Sequence, residues 1–173
     1  MTMTPRLRKF ALTAHIFSSV GWIGADAGFL ALAVTGLTSQ DAHMVQAVYL
    51  AMGLTARFVI VPLSFAALLT GLVQSLGTKW GLFRHYWVLV KFLIAIFATI
   101  VLLIHTQPIS LLSGAAAERT LSSADLRGPR MQLVVAAGAG LLVLLVATTL
   151  AVYKPRGMTP YGWRKQHEQR LVS

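Results

Sequence analysis

Ionisable side chains occur inside stretches of the sequence that are otherwise almost entirely apolar. They are His15, Asp26, Arg57, Lys91 and His105. An ionisable group in hydrocarbon costs at least about 2.5 kcal/mol, so each of these positions is a candidate functional site. Neutral imidazole binds iron and other transition metals, guanidinium binds carboxylates in a bidentate way, and amine and carboxyl groups exchange protons. These residue types therefore indicate metal, anion or proton chemistry inside a membrane.

The composition of the chain explains why these side chains stand out. The 173 residues are 56% hydrophobic and only 12% charged, with a mean hydropathy of +0.70. About a quarter of the residues in a soluble domain are charged, so the composition excludes an ordinary soluble enzyme, and a disordered chain would be much less hydrophobic. The sequence contains no cysteine, which excludes disulfides and thiolate metal sites. A small multi-pass membrane protein is the class that remains.

Four apolar stretches are long enough to cross a bilayer as helices, which takes about 20 residues each. They lie at about residues 10–37, 54–76, 86–107 and 131–153. Because no strand pattern or long repeat interrupts them, the sequence predicts one all-α domain, an integral membrane four-helix bundle. The stretch 41–53 belongs either to a long second helix or to a separate segment on the outer surface.

Lys and Arg residues cluster in three of the segments that flank or join the spans: before the first, between the second and third, and after the fourth. Such clusters face the cytoplasm. They predict that both termini are cytoplasmic and that the protein spans the inner (plasma) membrane. We expect the formal net charge of +10 to reflect this topology and attraction to anionic lipid headgroups, and we expect no nucleic-acid binding.

Antiparallel packing of neighbouring spans predicts which residues lie at the same depth. Residues of the first and second spans that lie level should have numbers summing to about 79, and those of the second and third spans to about 162. This register places four side chains in one layer: Trp22, Asp26, Arg57 and His105. His15 should lie about two turns deeper, and Lys91 near the cytoplasmic boundary.

The two imidazoles favour a haem site, because facing helices of a bundle can hold a porphyrin between two histidines. We expect His15 and His105 to be the axial ligands of the haem, although the register separates them by roughly 10 Å along the membrane normal. Either helix tilt closes that gap, or the iron has one histidine and another ligand. Trp22 would contact the ring. Arg57 would bind a propionate or form a structural ion pair with Asp26. The small residues at 136–140 either admit the ring or allow close helix packing.

The first span contains the pattern His15-x6-Trp22-x-Gly24. It resembles the His…Trp-x-Gly signature of a group of small bacterial membrane proteins. That group includes the four-helix membrane protoporphyrinogen IX oxidase and the copper-resistance D membrane proteins. The third span adds residues in an order similar to that of the oxidase family: Trp87, Lys91 and His105.

Over nearly its whole length, the chain also resembles an uncharacterised bacterial family of predicted integral membrane proteins, a domain of unknown function. The shared residues are Thr70-Gly71, Trp80-Gly81, 87–91, His105 and the tail 154–162. The oxidase family binds haem b and uses a histidine of its first helix and a lysine of its third. The resemblance therefore implies haem binding at His15 and a role for Lys91 in catalysis, in which it gates substrate or protons.

Three functions are consistent with these residues. We favour a haem b-binding protein with a redox role, which would either transfer electrons from a membrane donor or oxidise a hydrophobic substrate. A permease that handles copper is the second hypothesis, and a non-catalytic membrane scaffold is the third. Gly24 and Gly28 are spaced for close helix packing, either within the chain or in a homodimer.

Overall fold

The computed structural model describes residues 3–77, 81–118, 126–153 and 157–171, and within these ranges the chain is almost entirely helical and contains no strand. The helices are α1 Pro5–Thr38, α2 Ala42–Thr55, α3 Val61–Gly77, α4 Tyr86–Ala117, α5 Arg127–Tyr153 and α6 Pro160–Leu171. A π-helical turn, Ala56–Ile60, joins α2 to α3 without a break, so the stretch 41–53 leads straight into the second span. The predicted all-α fold is confirmed.

Four helical stretches are long and apolar enough to cross a membrane. They are Pro5–Thr38, Ala42–Gly77, Tyr86–Ala117 and Arg127–Tyr153. Their outward faces carry many large apolar side chains, including those of Phe17, Phe58 and Phe97. A water-soluble monomer rarely exposes apolar surface of this extent, so the outside of the bundle is suited to lipid.

The sequence determines where the first two helices begin and how they are joined. Thr4 caps α1 by accepting a hydrogen bond from the N–H of Leu7, and Pro5 occupies the first turn, where a missing N–H costs nothing. Asp41 caps α2 by accepting hydrogen bonds from its first turn. Between the helices the backbone is extended, with ψ of 139° at Ser39 and 113° at Asp41. Because of this extended linker, the chain continues beyond the end of α1 before α2 begins.

The long helices form a bundle in which consecutive spans are neighbours. α1 contacts α2, α3 and α5, and α4 also contacts α2, α3 and α5. Consequently, α1 and α4 lie at opposite corners of the bundle, and the α2–α3 rod and α5 occupy the other two. A contact between the side chains of α1 and α4 must therefore cross the bundle interior.

The third span is longer than the sequence predicts. The expected end is near residue 107, but α4 continues through Pro108 to Ala117. Proline removes its own N–H from the helical hydrogen bonds, and the following turns are held because Ile109 and Leu112 are buried in the core. Residues 119–125 of the expected outer loop lie outside the described residues.

Several side chains near the end of α1, in α2 and near the end of α4 are almost completely buried. Tyr49, Met52 and Leu112 are each at most 1% exposed, and Ala33 is buried with them. Gly36 lies against the Tyr49 ring, since a Cβ added at Gly36 would be 2.8 Å from Tyr49 Cζ. We call the part of the bundle that contains these five residues the packed half.

Candidate functional site

His15 on α1 and Lys91 on α4 meet inside the bundle. Nζ of Lys91 lies 3.4 Å from Nε2 of His15, and both side chains are half-buried. Since α1 and α4 occupy opposite corners, this contact spans the interior. The register expected from the sequence places Lys91 about two turns from His15, whereas the two lie at the same level.

Thr70 on α3 holds the other nitrogen of the imidazole. Its hydroxyl donates a hydrogen bond to the carbonyl of Ala66 at 2.6 Å, so its oxygen is left to accept one from His15 Nδ1, 3.1 Å away. This assignment places the proton of a neutral imidazole on Nδ1 and a lone pair on Nε2. The lone pair accepts a hydrogen bond from the Lys91 amine.

Two small residues complete this arrangement. Ser18 Oγ lies 3.4 Å from Thr70 Oγ1 and donates to the carbonyl of Ala14, one turn earlier on α1. Gly71 lies against the imidazole, since a Cβ there would be 3.1 Å from His15 Cε1. We call His15, Ser18, Thr70 and Lys91 the polar cluster. Sequence reasoning noticed the Thr70-Gly71 pair only as part of a resemblance and missed its contact with the histidine.

His105 does not join this cluster. It follows Lys91 by fourteen residues on α4, which corresponds to roughly 21 Å along the helix. Its Nδ1 donates to the carbonyl of Val101 on its own helix at 2.8 Å. The structure therefore does not bring the two imidazoles, His15 and His105, together.

The α1–α2 linker explains the difference in depth. Gly36 lies against Tyr49 and His15 against Thr70, so level residues of the first two spans have numbers that sum to 85. If a tight turn joined the two spans, the numbers of level residues would sum to about 79. Because the linker is extended, α2 begins beyond the end of α1, and every residue of the second span is displaced along α1 by more than one turn. Thr70 and Lys91 both contact His15, and their positions do follow the register expected between the second and third spans.

The expected layer of Trp22, Asp26 and Arg57 is only partly present. Trp22 and Asp26 are buried one turn apart on the inner face of α1. Arg57 is exposed in the π-helical turn, and Oδ2 of Asp26 is buried without a hydrogen-bond partner. The anticipated ion pair between Asp26 and Arg57 is thus not formed in the described part of the chain. The extra residue of a π-helical turn rotates the chain, and sequence periodicity does not reveal that rotation.

An open apolar groove of about 430 Å³ lies between α4 and α5. It is lined by Leu93, Ile94, Phe97, Leu142, Val143 and Val146. Ile94 follows Lys91 by one helical turn, so the groove begins close to the polar cluster. Its shape and lining suit a hydrocarbon chain.

The C-terminal tail fixes the start of α4. The Thr159 hydroxyl donates to the carbonyl of Phe83, and the Thr159 N–H donates to the carbonyl of Arg84 at 3.1 Å. Gly162 lies so close that a Cβ there would be 2.5 Å from the Arg84 carbonyl oxygen. We call these contacts the tail clamp. It holds the segment that leads into α4, and α4 begins less than two turns before Lys91.

The metal-binding capacity of the described residues is small. No group of three or more His, Asp or Glu side chains comes together among them. The polar cluster offers one imidazole and one amine. A site of this kind suits a metal that already has most of its ligands, such as a metal held by a tetrapyrrole.

Comparisons with known proteins add no relative to these observations. No protein-family model matches the chain, and no curated protein and no solved structure matches it either. The class that the structure defines is an all-α protein with four helices able to cross a membrane.

Proposed function

We propose that this chain is a multi-pass protein of the bacterial inner membrane that binds haem b through His15 and has a redox role. The contact of His15 with Lys91 and Thr70 in the interior of the bundle carries the proposal. It is also the pair that the resemblance to the oxidase family implies, a histidine of the first span and a lysine of the third.

The donor chemistry of the polar cluster fits a haem iron ligand. Histidines that bind metals usually donate their second N–H to an acceptor, which fixes the tautomer and the ring orientation. Thr70 performs this function for His15, and the Nε2 lone pair is directed into the interior. Haem iron would supply one-electron chemistry at this position.

Lys91 is the flexible partner in the cluster. Its amine ends a four-carbon stem and donates to His15 Nε2, so it can turn to another acceptor when that lone pair is used. A propionate or a proton-accepting substrate would be such an acceptor. Because Arg57 is exposed, we assign the contact with a carboxylate to Lys91 and not to Arg57.

The apolar groove between α4 and α5 favours oxidation of a hydrophobic substrate over simple electron transfer. The groove begins one turn from Lys91 and is open at the surface that we assign to lipid. A membrane-soluble molecule in this groove would contact Ile94, one helical turn from Lys91. Copper handling has less support, because no group of three or more His, Asp or Glu side chains comes together in the described part of the chain.

Visible spectroscopy of the protein purified in mild detergent tests the proposal. We expect a Soret band in the natural protein and its loss in His15→Ala. His105→Ala is the matched control, since it removes an imidazole from an equally apolar span about 21 Å away, and we expect it to keep the band. Circular dichroism and gel filtration would verify that both variants fold.

Other outcomes decide between the hypotheses. A colourless protein that carries copper in elemental analysis would support the permease. If the protein carries neither cofactor when it is expressed with sufficient haem and copper, only the hypothesis of a non-catalytic membrane scaffold would be left. Loss of the band in His105→Ala with retention in His15→Ala would transfer the ligand role to His105.

Homodimer formation remains a prediction, and the packing of α1 favours it. A Cβ added at Gly24 or Gly28 would meet nothing within 4 Å, and both residues are exposed. The two glycines are therefore not used for packing within the described chain. Since the sequence has no cysteine, Gly28→Cys would give a clean cross-linking test.

A further inference from the structure

A second buried polar group lies away from the polar cluster, where α1 meets α5. Asp26 is 8% exposed, and its Oδ2 is completely buried without a hydrogen-bond partner. Gly140 of α5 lies against the carboxyl group, since a Cβ there would be 3.2 Å from Oδ2. The haem proposal makes no use of this carboxyl group.

Within the part of the chain that the structure describes, the elements packed around α1 bring no neutralising charge to Asp26. α5 contributes Gly140 and the small residues beside it at this level. The π-helical turn contributes Arg57, whose side chain is exposed. α2 contributes Tyr49, which lies near Gly36, roughly 15 Å further along α1. α3 contributes no charged side chain at this level.

The remaining titratable groups are also distant or engaged elsewhere. His15 precedes Asp26 by eleven residues on α1, or roughly 16 Å. His105, on the opposite corner of the bundle, is half-buried and donates its Nδ1 hydrogen to its own helix. Arg130 of α5 lies over the Tyr49 ring, at the far end of the packed half.

An ionised carboxylate in such a place is costly. Removing a charge from water without a partner costs several kcal/mol or more, and the group avoids that cost by taking up a proton. A protonated carboxyl group is a single donor and an acceptor, which a helical interior tolerates far better. We propose that Asp26 is a proton-binding site inside the bundle, held as a neutral acid and able to exchange its proton with the solvent.

The carboxyl group shares an interior face of α1 with the polar cluster. Ser18, Trp22 and Asp26 recur every four residues and share the buried face of α1. Ser18 lies 3.4 Å from Thr70, which contacts His15 in turn. This face runs from the level of the carboxyl group to that of the polar cluster, and the tail clamp lies toward the same end of the bundle. The proposal does not require haem, because it rests on Asp26 and its surroundings alone.

Infrared difference spectroscopy tests the protonation directly. The natural protein and Asp26→Asn would be compared in vesicles of phosphatidylethanolamine and phosphatidylglycerol at neutral pH. We expect the natural protein to show the carbonyl band of a protonated carboxyl group, and this band should shift after transfer to heavy water. The band should be absent in Asp26→Asn. A carboxylate band in its place would overturn the proposal, and so would an acid band that does not shift.

Chemical labelling of the natural chain gives a test that needs no folded variant. An apolar carbodiimide adds to a protonated carboxyl group and rearranges to an N-acylurea, so the residue gains the whole reagent and no atom leaves. We expect labelling of Asp26 at neutral pH. Asp41 and Glu118 are exposed and should react only with a water-soluble carbodiimide. An unlabelled Asp26 beside normally reacting controls would contradict the proposal.

Two glycines of α5 provide a matched pair for the labelling rate. Gly140→Ala places a methyl group 3.2 Å from Oδ2 and should slow the labelling several-fold. Gly138→Ala places its methyl group where nothing lies within 4 Å and should leave the rate unchanged. Equal rates in the two variants would show that the reagent does not react at the α1–α5 interface, and this would overturn the assignment.

Discussion

The packed half and the polar cluster differ in how their side chains are held. In the packed half, Tyr49, Met52 and Leu112 are almost completely buried and are held by contacts with several helices. In the polar cluster, His15 and Lys91 are half-buried and are held by hydrogen bonds to one another or to nearby groups. Close packing resists change, because every displaced atom loses contacts, whereas a hydrogen bond can be exchanged for another of similar strength.

This difference indicates that one region of the bundle contributes mainly to stability and the other mainly to binding. The packed half supplies the stability that keeps the four spans together. If a ligand or proton binds at the polar cluster, the cluster can therefore rearrange at small cost, as is usual for binding regions of low local stability. Substitutions in the packed half should change unfolding, and substitutions in the cluster should change binding.

Leu112→Ala should have the largest effect on stability. The side chain is 0% exposed, so its removal leaves a cavity in the packed half. We expect a loss of roughly 2–5 kcal/mol in the free energy of unfolding, measured by denaturation in mixed micelles. Leu111→Ala is the control, since Leu111 is 51% exposed and its loss should be small. Equal losses for the two variants would remove the distinction between packed core and lipid-facing surface.

Gly36→Ala should have an intermediate effect. Its Cβ would lie 2.8 Å from Tyr49 Cζ, and the surrounding side chains leave the ring little freedom to move. Such overpacking typically costs about 1–3 kcal/mol, which the same denaturation experiment would measure. Gly28→Ala, whose Cβ would meet nothing within 4 Å, should be neutral or slightly stabilising. A destabilisation by Gly28→Ala that matches Gly36→Ala would contradict the packing described for α1.

Thr70→Val should have the smallest effect on stability and a clear effect on binding. It removes the acceptor of the His15 hydrogen bond and should cost about 1 kcal/mol in unfolding. If His15 binds haem, loss of this support should weaken the affinity by 10–100-fold, measured by haem titration. Thr149→Val is the control, because the Thr149 hydroxyl bonds only to its own helix and is exposed. Unchanged affinity in Thr70→Val would separate Thr70 from ligand binding.

The sequence predicts the helical spans well because apolar length is a strong signal. It fails at Pro108, where burial of Ile109 and Leu112 outweighs the local tendency of proline to end a helix. Tertiary packing of that kind is not visible in a single stretch of sequence.

The candidate site was predicted only in part. His15 and Lys91 were identified as candidates by type and by resemblance, but their contact was not, because the extended linker at Ser39 and Asp41 shifts the depth of the second span. The direction of Arg57 was also unpredictable, since the π-helical turn rotates the helix there. Depth and direction depend on backbone details of a few residues that composition and periodicity do not report.

The tail clamp joins the last helix to the third span. α6 presents exposed aromatic and basic side chains, among them Tyr161, Trp163 and Lys165. A lipid surface or protein that binds them would pull on Thr159, whose hydrogen bonds end on the two carbonyl groups just before α4. If such a ligand displaced α6, it would also disturb these two hydrogen bonds and thereby the start of the helix that carries Lys91.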